Sequence, residues 1–243
     1  MNLIIDIGNT RVKVCLFDGE LIIKQGVDDS LSVDFVSLFC FGFEIENVII
    51  SAVSEGAKEL YDYFKHIYPN TIILDATIHL PIVNLYETPQ SLGHDRIAAA
   101  VGANELFPIE NVLVIDAGTA ITIDFITSKN QFVGGNISPG LNTRFKSLHN
   151  YTNKLPLLKS KEIWPILGNN TETAIISGVQ QGIVFEIEGY ISYFKTQYGA
   201  ISVVLTGGDS EIFAKQINHT VNVEPYLVFK GLNRIIQYNA NNK

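Results

Sequence analysis

The chain holds 243 residues, 47% hydrophobic and 17% charged, which supplies one large core or two ordinary ones and excludes disorder. A formal net charge of -8 argues against a nucleic-acid surface, which needs clustered Lys and Arg. The opening Met-Asn-Leu-Ile-Ile lacks the order of a signal peptide and no apolar run reaches about 18 residues, so a cytoplasmic protein without membrane contact is expected.

In chain order, the first element is a hairpin. Leu3 to Ile7 read as a buried strand that meets Asp6 near its end, and Val12 to Phe17 return after Gly8, Asn9, Thr10 and Arg11. Asp18 and Gly19 turn the chain into a third run from Leu21 to Ile23. Ser30 is expected to cap a short helix carrying Leu31, Phe35 and Leu38. Val48 to Ile50 form a buried strand leading into Ser51. Gly56 to Tyr68 form an amphipathic helix with Leu60, Phe64 and Ile67, and Thr71 to Leu74 another strand. Asp75 to Leu92, with Pro81 and Pro89, read as an exposed irregular loop. A helix from Gly93 through Ala103 ends at Pro108, and its small residues suit packing against a second domain. The boundary is placed at 107, giving domains 1–107 and 108–243.

The second half opens on the same pattern. Val112 to Ala117 carry Asp116, Gly118 and Thr119 follow, and Ile121 to Ile126 return toward a turn at Ser128, Lys129 and Asn130. Beyond Phe132 and Val133, the run from Gly134 to Gly140 is glycine-rich without the spacing of a dinucleotide or Walker loop, so a plain turn stays open. A long helix is expected from about Thr171 to Tyr198. A strand from Ile201 to Leu205 then ends in Thr206, Gly207 and Gly208, and a last helix carries Leu232, Ile235 and Ile236. Cys15 and Cys40 read as buried thiols, the histidines form no cluster, Trp164 reads as packing, and 154–169 match nothing.

A strand buried on both faces has no place for a carboxylate, so Asp6 and Asp116 must sit where their strands end. The glycine two residues later lets the backbone turn closely and aim N–H groups at an anion. Either copy alone could be a polar turn with Asx chemistry; two copies in one chain outline a phosphotransferase. Asp6 suits a hydrated Mg²⁺, which takes one or two carboxylates plus phosphate oxygens. Gly93, His94, Asp95 and Arg96 place a carboxylate and a guanidinium at a helix start. Asp95 could accept a hydrogen bond from a substrate hydroxyl while Arg96 holds an anionic group, or Asp95 could simply complement the helix end with Arg96 on the surface.

Taken together, these motifs resemble the type III pantothenate kinases of the acetate kinase, sugar kinase, Hsp70 and actin superfamily. The residues that carry the resemblance are Asp6, Gly8, Asn9, Thr10 and Lys13; Tyr86 ahead of Pro89; Gly93, Asp95 and Arg96; Asp116 to Ala120; Gly135, Ile137, Pro139 and Gly140; Asn170, Thr171 and Ala174; and Thr206 to Gly208. The resemblance implies an α/β fold of two similar RNase H-like domains, mixed β-sheets flanked by helices with a cleft between them. It also implies ATP-dependent phosphorylation of pantothenate at its primary hydroxyl, on the way to coenzyme A.

Carried over by position, Asp6, Ile7, Gly8, Asn9, Thr10, Arg11, Val12, Lys13 and Thr119 would contact ATP, with Asp6 holding Mg²⁺ through water. Asp95 would be the catalytic base. Tyr86, Gly93, His94, Asp95, Arg96 and Thr171 would line the pantothenate pocket, although position 94 carries no assigned role. Asp116 would hold K⁺ or NH₄⁺, and the loops around 135–140 and 206–208 would approach the nucleotide. A homodimer is implied. The rivals are a kinase of the same superfamily acting on a sugar or an acid, and a non-catalytic nucleotide-sensing or transcription-accessory protein.

Overall fold

The computed structural model of the chain describes residues 1–8, 11–29, 32–52 and 57–241. By packing, these divide into two compact units, the first holding the described residues of 1–108, 130–132 and 226–241, the second 109–129 and 133–225.

The first unit is built on a sheet of β1 (Asn2–Ile7), β2 (Val12–Asp18), β3 (Leu21–Asp28), β4 (Asn47–Ala52) and β5 (Asn70–Ile73), in the order β3-β2-β1-β4-β5. β1 and β2 pair antiparallel, as do β2 and β3, whereas β1, β4 and β5 run parallel. Alternation sends Leu3, Ile5, Ile7, Val12, Val14 and Leu16 to one face. There they meet Val36, Phe39 and Cys40 of α1 (Val33–Cys40) and Leu60 and Phe64 of α2 (Ala57–Ile67). The edge strand β3 alternates exposed and half-buried residues because one of its faces meets water.

The other face receives α3 (His94–Leu106) and α7 (Leu227–Asn241). Ala98 and Gly102 of α3 lie so close to Gly231 and the Leu227 carbonyl of α7 that the two backbones touch. A chain of amides fastens α7 to the sheet: Asn47 Nδ2 donates to Asn2 Oδ1 (2.9 Å) and Asn2 Nδ2 to Asn233 Oδ1 (2.8 Å). Asn233 Nδ2 in turn donates to the Gly19 carbonyl (2.9 Å).

In the second unit, β7 (Val112–Ala117), β8 (Ala120–Thr127), β9 (Gln131–Pro139, whose first two residues group with the first unit), β10 (Ser202–Thr206) and β11 (Asn222–Val223) follow the order β9-β8-β7-β10-β11. This is the order of the first sheet repeated strand for strand, with an antiparallel β7–β8 pair and parallel β7, β10 and β11. Its core packs the sheet against α4 (Leu141–Asn150) and the 28-residue α5 (Thr171–Tyr198), through Phe145, Ile175, Val179, Ile183, Ile187 and Ile191. A short α6 (Ser210–Ala214) adds Phe213. α5 starts with a reciprocal cap: Thr173 N–H donates to Asn170 Oδ1 (2.9 Å) and Asn170 N–H to Thr173 Oγ1 (3.2 Å).

Several expectations are corrected. The cap of α1 is Ser32, whose hydroxyl accepts from Phe35 N–H (3.3 Å); Ser30 and Leu31 lie outside the described residues. Leu38 and Ile67 are exposed rather than packed, because both helices roll their inner faces toward Phe39 and Phe64. The small residues of α3 receive α7, which leaves the last helix with the first unit instead of with 108–243. Residues 134–139 continue β9 as extended backbone where a turn had stayed open, since β9 is hydrogen-bonded alongside β8. The loop 75–92 contains β6 (Val83–Asn84), which pairs in parallel with Gln131 and Phe132.

The unmatched segment 154–169 packs Leu155, Leu158 and Trp164 onto the core of the second unit. Lys161 N–H donates to the buried Gln180 Oε1, and Gln180 Nε2 donates to the Lys161 carbonyl, both at 2.9 Å. An irregular strand of backbone thus borrows a side-chain amide as its partner.

Candidate active site

Asp6 ends the run of buried residues in β1 and stands in register with Lys13 on β2 and Ser51 on β4. Ser51 Oγ donates to Asp6 Oδ1 at 3.1 Å. Burial pushes the Asp6 carboxyl above the ordinary carboxylate range. Lys13 and the Ser51 hydroxyl pull it back, and the charge of Asp95 pushes it up again. That coupling places Asp6 and Asp95 in one electrostatic neighbourhood. Beyond Asp6, Gly8 N–H donates to the Arg11 carbonyl (3.0 Å) and closes the turn. Asn9 and Thr10 lie outside the described residues. Lys13 is exposed and Arg11 pairs with Asp29 (3.3 Å), while the side chains of Ile7 and Val12 are buried in the core, so only their backbone groups could face a ligand.

Gly93 caps α3 without a side chain, and Asp95 follows in the first turn, where its Oδ1 accepts from Arg96 N–H (2.8 Å). Arg96 is only 5% exposed. Its guanidinium lies 5.4 Å from the centre of the Tyr86 ring and 6.0 Å from that of Phe132, two rings 6.1 Å apart. Asn84 Oδ1 accepts from Tyr86 N–H (3.0 Å), and pairing of β6 with Gln131 and Phe132 brings the second ring in. Tyr86, Asp95 and Arg96 therefore belong to one cluster. Phe132 and Asn84 are its unanticipated members, and Ser51 is an unanticipated partner of Asp6; the signals available were an apolar residue after a turn, a polar residue two before the tyrosine, and a hydroxyl ending a buried strand. His94 lines a cavity of about 360 Å³ with Asp75, His79, Asn84 and Leu92, and its Nδ1 has no hydrogen-bond partner among the described residues.

In the second unit, Asp116 is the next-to-last residue of β7 as Asp6 is of β1, in register with Thr206 on β10 and Thr122 on β8. Gly118 N–H donates to the Ala120 carbonyl (3.0 Å) to close the loop. Gly207, at φ +89°, passes so close to Asp116 and Ala117 that a side chain would collide with both. Asp209 N–H then donates to the Ala117 carbonyl (3.0 Å), and burial pushes the Asp209 carboxyl up. Thr119 is held through its carbonyl, which accepts from Gly140 N–H (3.1 Å) and Thr143 Oγ1 (2.7 Å). The segments 116–119, 140–143 and 206–209 thus converge. Thr171 stands exposed at the start of α5, where the cap is made by Asn170 and Thr173.

No group of three His, Cys, Asp or Glu among the described residues could hold a metal by itself. A single carboxylate beside a hydroxyl suits an ion that keeps its waters and takes phosphate oxygens. The thiols are inert: burial pushes Cys15 up to about 12 and Cys40 up to about 11.

Comparison with known proteins adds a separate line. The profile of the family described as Type III pantothenate kinase matches residues 2–193. A Type III pantothenate kinase of Bacteroides fragilis (strain YCH46) is 44% identical over 239 residues, covering 98% of each chain. Among solved structures, a Campylobacter jejuni protein described as a Baf family transcriptional activator is similar with a TM-score of 0.65 and 27% identity. That match covers 98% of this chain and 99% of the other. A ROK family glucokinase from Streptomyces griseus, in complex with glucose and AMPPNP, shares the fold at a TM-score of 0.55 and 13% identity, covering 98% of each chain.

Proposed function

Because the chain belongs to the type III pantothenate kinase family, we propose that it transfers the γ-phosphoryl group of ATP to the primary hydroxyl of pantothenate. The product, 4′-phosphopantothenate, enters coenzyme A synthesis. The observation that carries this reading is the cluster of Asp6, Asp95, Arg96 and Tyr86 in the first unit of a chain whose family match covers 2–193.

Phosphoryl transfer asks mainly for positioning and charge stabilisation. Asp95 orients the attacking hydroxyl and takes its proton late. Arg96, desolvated between two rings, keeps its charge and its fork of donors for an anionic group such as the pantothenate carboxylate. Tyr86 fixes that guanidinium and lends a hydroxyl to the pantothenate pocket, which Gly93 and Thr171 help to line. Residues Asp6 to Lys13 and, in the second unit, Thr119 contact ATP. Mg²⁺ bound through water at Asp6 would offset phosphate charge, and the donor set there fits it. A monovalent cation, K⁺ or NH₄⁺, would be held by Asp116, where the carboxylate and the carbonyls of the adjoining loops are hard oxygen donors.

The enzyme is proposed to work in the cytoplasm as a homodimer. No described helix is long and apolar enough to cross a membrane. The exposed Ile163, Ile166, Leu167 and Phe185 of the second unit supply apolar surface for a second copy. Release of ADP by the purified protein, measured with pantothenate against sugars and acetate, tests the reading. Turnover with a sugar or acetate and none with pantothenate would replace it.

A further inference from the structure

We propose that Arg144 and Glu186 are positioning residues for the nucleotide: their ion pair seats the start of α4 against the Thr119 loop and thereby sets the affinity for ATP. The inference rests on the reading that Thr119 contacts ATP, and it assigns work to two residues outside every motif considered above.

The chain of contact begins at Thr119. Its carbonyl accepts two hydrogen bonds, from Gly140 N–H and Thr143 Oγ1, so the loop between β7 and β8 is steered by whatever fixes residues 140–143. Gly140 lies against the carbonyls of Gly118 and Thr119 too closely for any side chain, and it caps α4 without offering one. The start of this helix therefore has no capping side chain, and the Thr143 hydroxyl is spent on the Thr119 carbonyl. One turn later Arg144 supplies an anchor.

Arg144 Nε donates to the Pro139 carbonyl (2.7 Å) and Nη2 donates to Ser138 Oγ (3.2 Å), gripping the two residues that lead into Gly140. Nη2 also pairs with Glu186 Oε2, while Ser138 Oγ donates to Glu186 Oε1 (2.6 Å). Glu186 sits in the middle of α5, between the buried Val184 and Ile187, so its end of the pair is fixed to the core. The two side chains are 21% and 23% exposed, sheltered enough for the geometry to hold. Three acceptors at three bearings require a planar fork of donors; a lysine ammonium can reach only part of the set. One guanidinium thus ties the end of β9, the start of α4 and the middle of α5 into the frame on which the Thr119 carbonyl hangs.

A purely structural ion pair would show itself in stability alone, so the test separates the two roles. KM for ATP and for pantothenate, kcat and melting temperature would be measured for wild type, Thr119→Ala, Arg144→Met, Arg144→Lys and the double variant Arg144→Met/Glu186→Leu. Arg144→Met should raise KM for ATP about tenfold and leave KM for pantothenate within about twofold, with Arg144→Lys between it and wild type. The double variant removes both charges and should regain most of the melting temperature lost in Arg144→Met, as replaced buried pairs do, while its KM for ATP stays raised. A wild-type KM for ATP in the stable double variant, with Thr119→Ala impaired, overturns the positioning role and leaves the ATP reading standing. An unchanged KM for ATP in Thr119→Ala overturns that reading, and the proposal falls with it.

Discussion

Asp6 and Asp116 hold equivalent places in two copies of one topology, and their surroundings agree on one side and differ on the other. Each is the next-to-last residue of the first strand of its unit, and each faces a hydroxyl residue across the parallel neighbour, Ser51 for Asp6 and Thr206 for Asp116. Across the antiparallel neighbour Asp6 meets Lys13, whereas Asp116 meets Thr122. The duplicated sheet repeats the strand-end carboxylate and its polar neighbour but not the charge opposite. The first loop brings a lysine of its own. The second, on the proposed reading, takes a cation from solution. Asp95 and Arg96 reside only with the first copy, so on the same proposed reading the two halves divide the labour between proton transfer and cation binding.

The largest expected effect tests that division. Asp95→Asn keeps the shape of the side chain but removes the proton acceptor, and kcat at saturating substrates should fall by about 10²–10⁴-fold with the melting temperature little changed. A near wild-type kcat would take proton transfer away from the first unit. Next comes Asp6→Asn, which should depress activity and weaken its dependence on Mg²⁺ concentration. The same variant should be more stable than wild type at neutral pH. The carboxyl of Asp6 lies above its unfolded value, so the folded protein favours the protonated form and ionisation costs stability. Asparagine removes that cost. The gain should be fully present above the folded value, shrink as pH falls from there toward the unfolded carboxylate value of about 4, and be gone below it. Urea titrations of both proteins across that range would check it, and a gain that grew toward acid pH would reverse the sign of the burial argument.

The cation side of the comparison can be sharpened directly. Activity should be low in Na⁺ or Tris buffer at matched ionic strength and rise about tenfold with K⁺ or NH₄⁺, and Asp116→Ala should lose that response. Thr122→Lys places in the second copy the lysine that the first copy has at the same register position. It should lift the rate in K⁺-free buffer and flatten the response to added K⁺. Equal rates for the wild type with and without K⁺ would end the contrast between the loops. The smallest effect is expected at Tyr86. Tyr86→Leu removes one of the two rings around Arg96, and KM for pantothenate should rise several-fold, in line with a cation–π contact of about 0.5–2 kcal/mol, while KM for ATP stays nearly constant. The opposite pattern would reassign the residue to the nucleotide.

Much of this was open to reading in the residues themselves. The paired strand-end carboxylates, the hairpins they belong to and the long helix from Thr171 to Tyr198 follow from local rules. A buried strand excludes charge, alternation marks a sheet face, and a 3.6-residue period marks a helix. The Gly93 to Arg96 motif could likewise be placed at a helix start. The burial of Arg96 could not be read so directly, because the rings that enclose it stand 10 positions before it and 36 after it in sequence. Only the parallel pairing of β6 with Gln131 and Phe132 unites them. The same holds for the small residues of α3: their spacing announced close packing, yet the partner is α7, far along the chain and fastened by the Asn2, Asn47 and Asn233 amides.

What the amino-acid sequence determined alone was each element and the chemical character of its ends, because backbone geometry, side-chain alternation and glycine's tolerance of close turns act over a few residues. Tertiary structure decided which ends meet: Ser51 beside Asp6, Phe132 over Arg96, and Glu186 against Arg144. Those meetings depend on strand register and helix seating, which are set by the packing of whole faces, a sum over many weak apolar contacts that no single motif records.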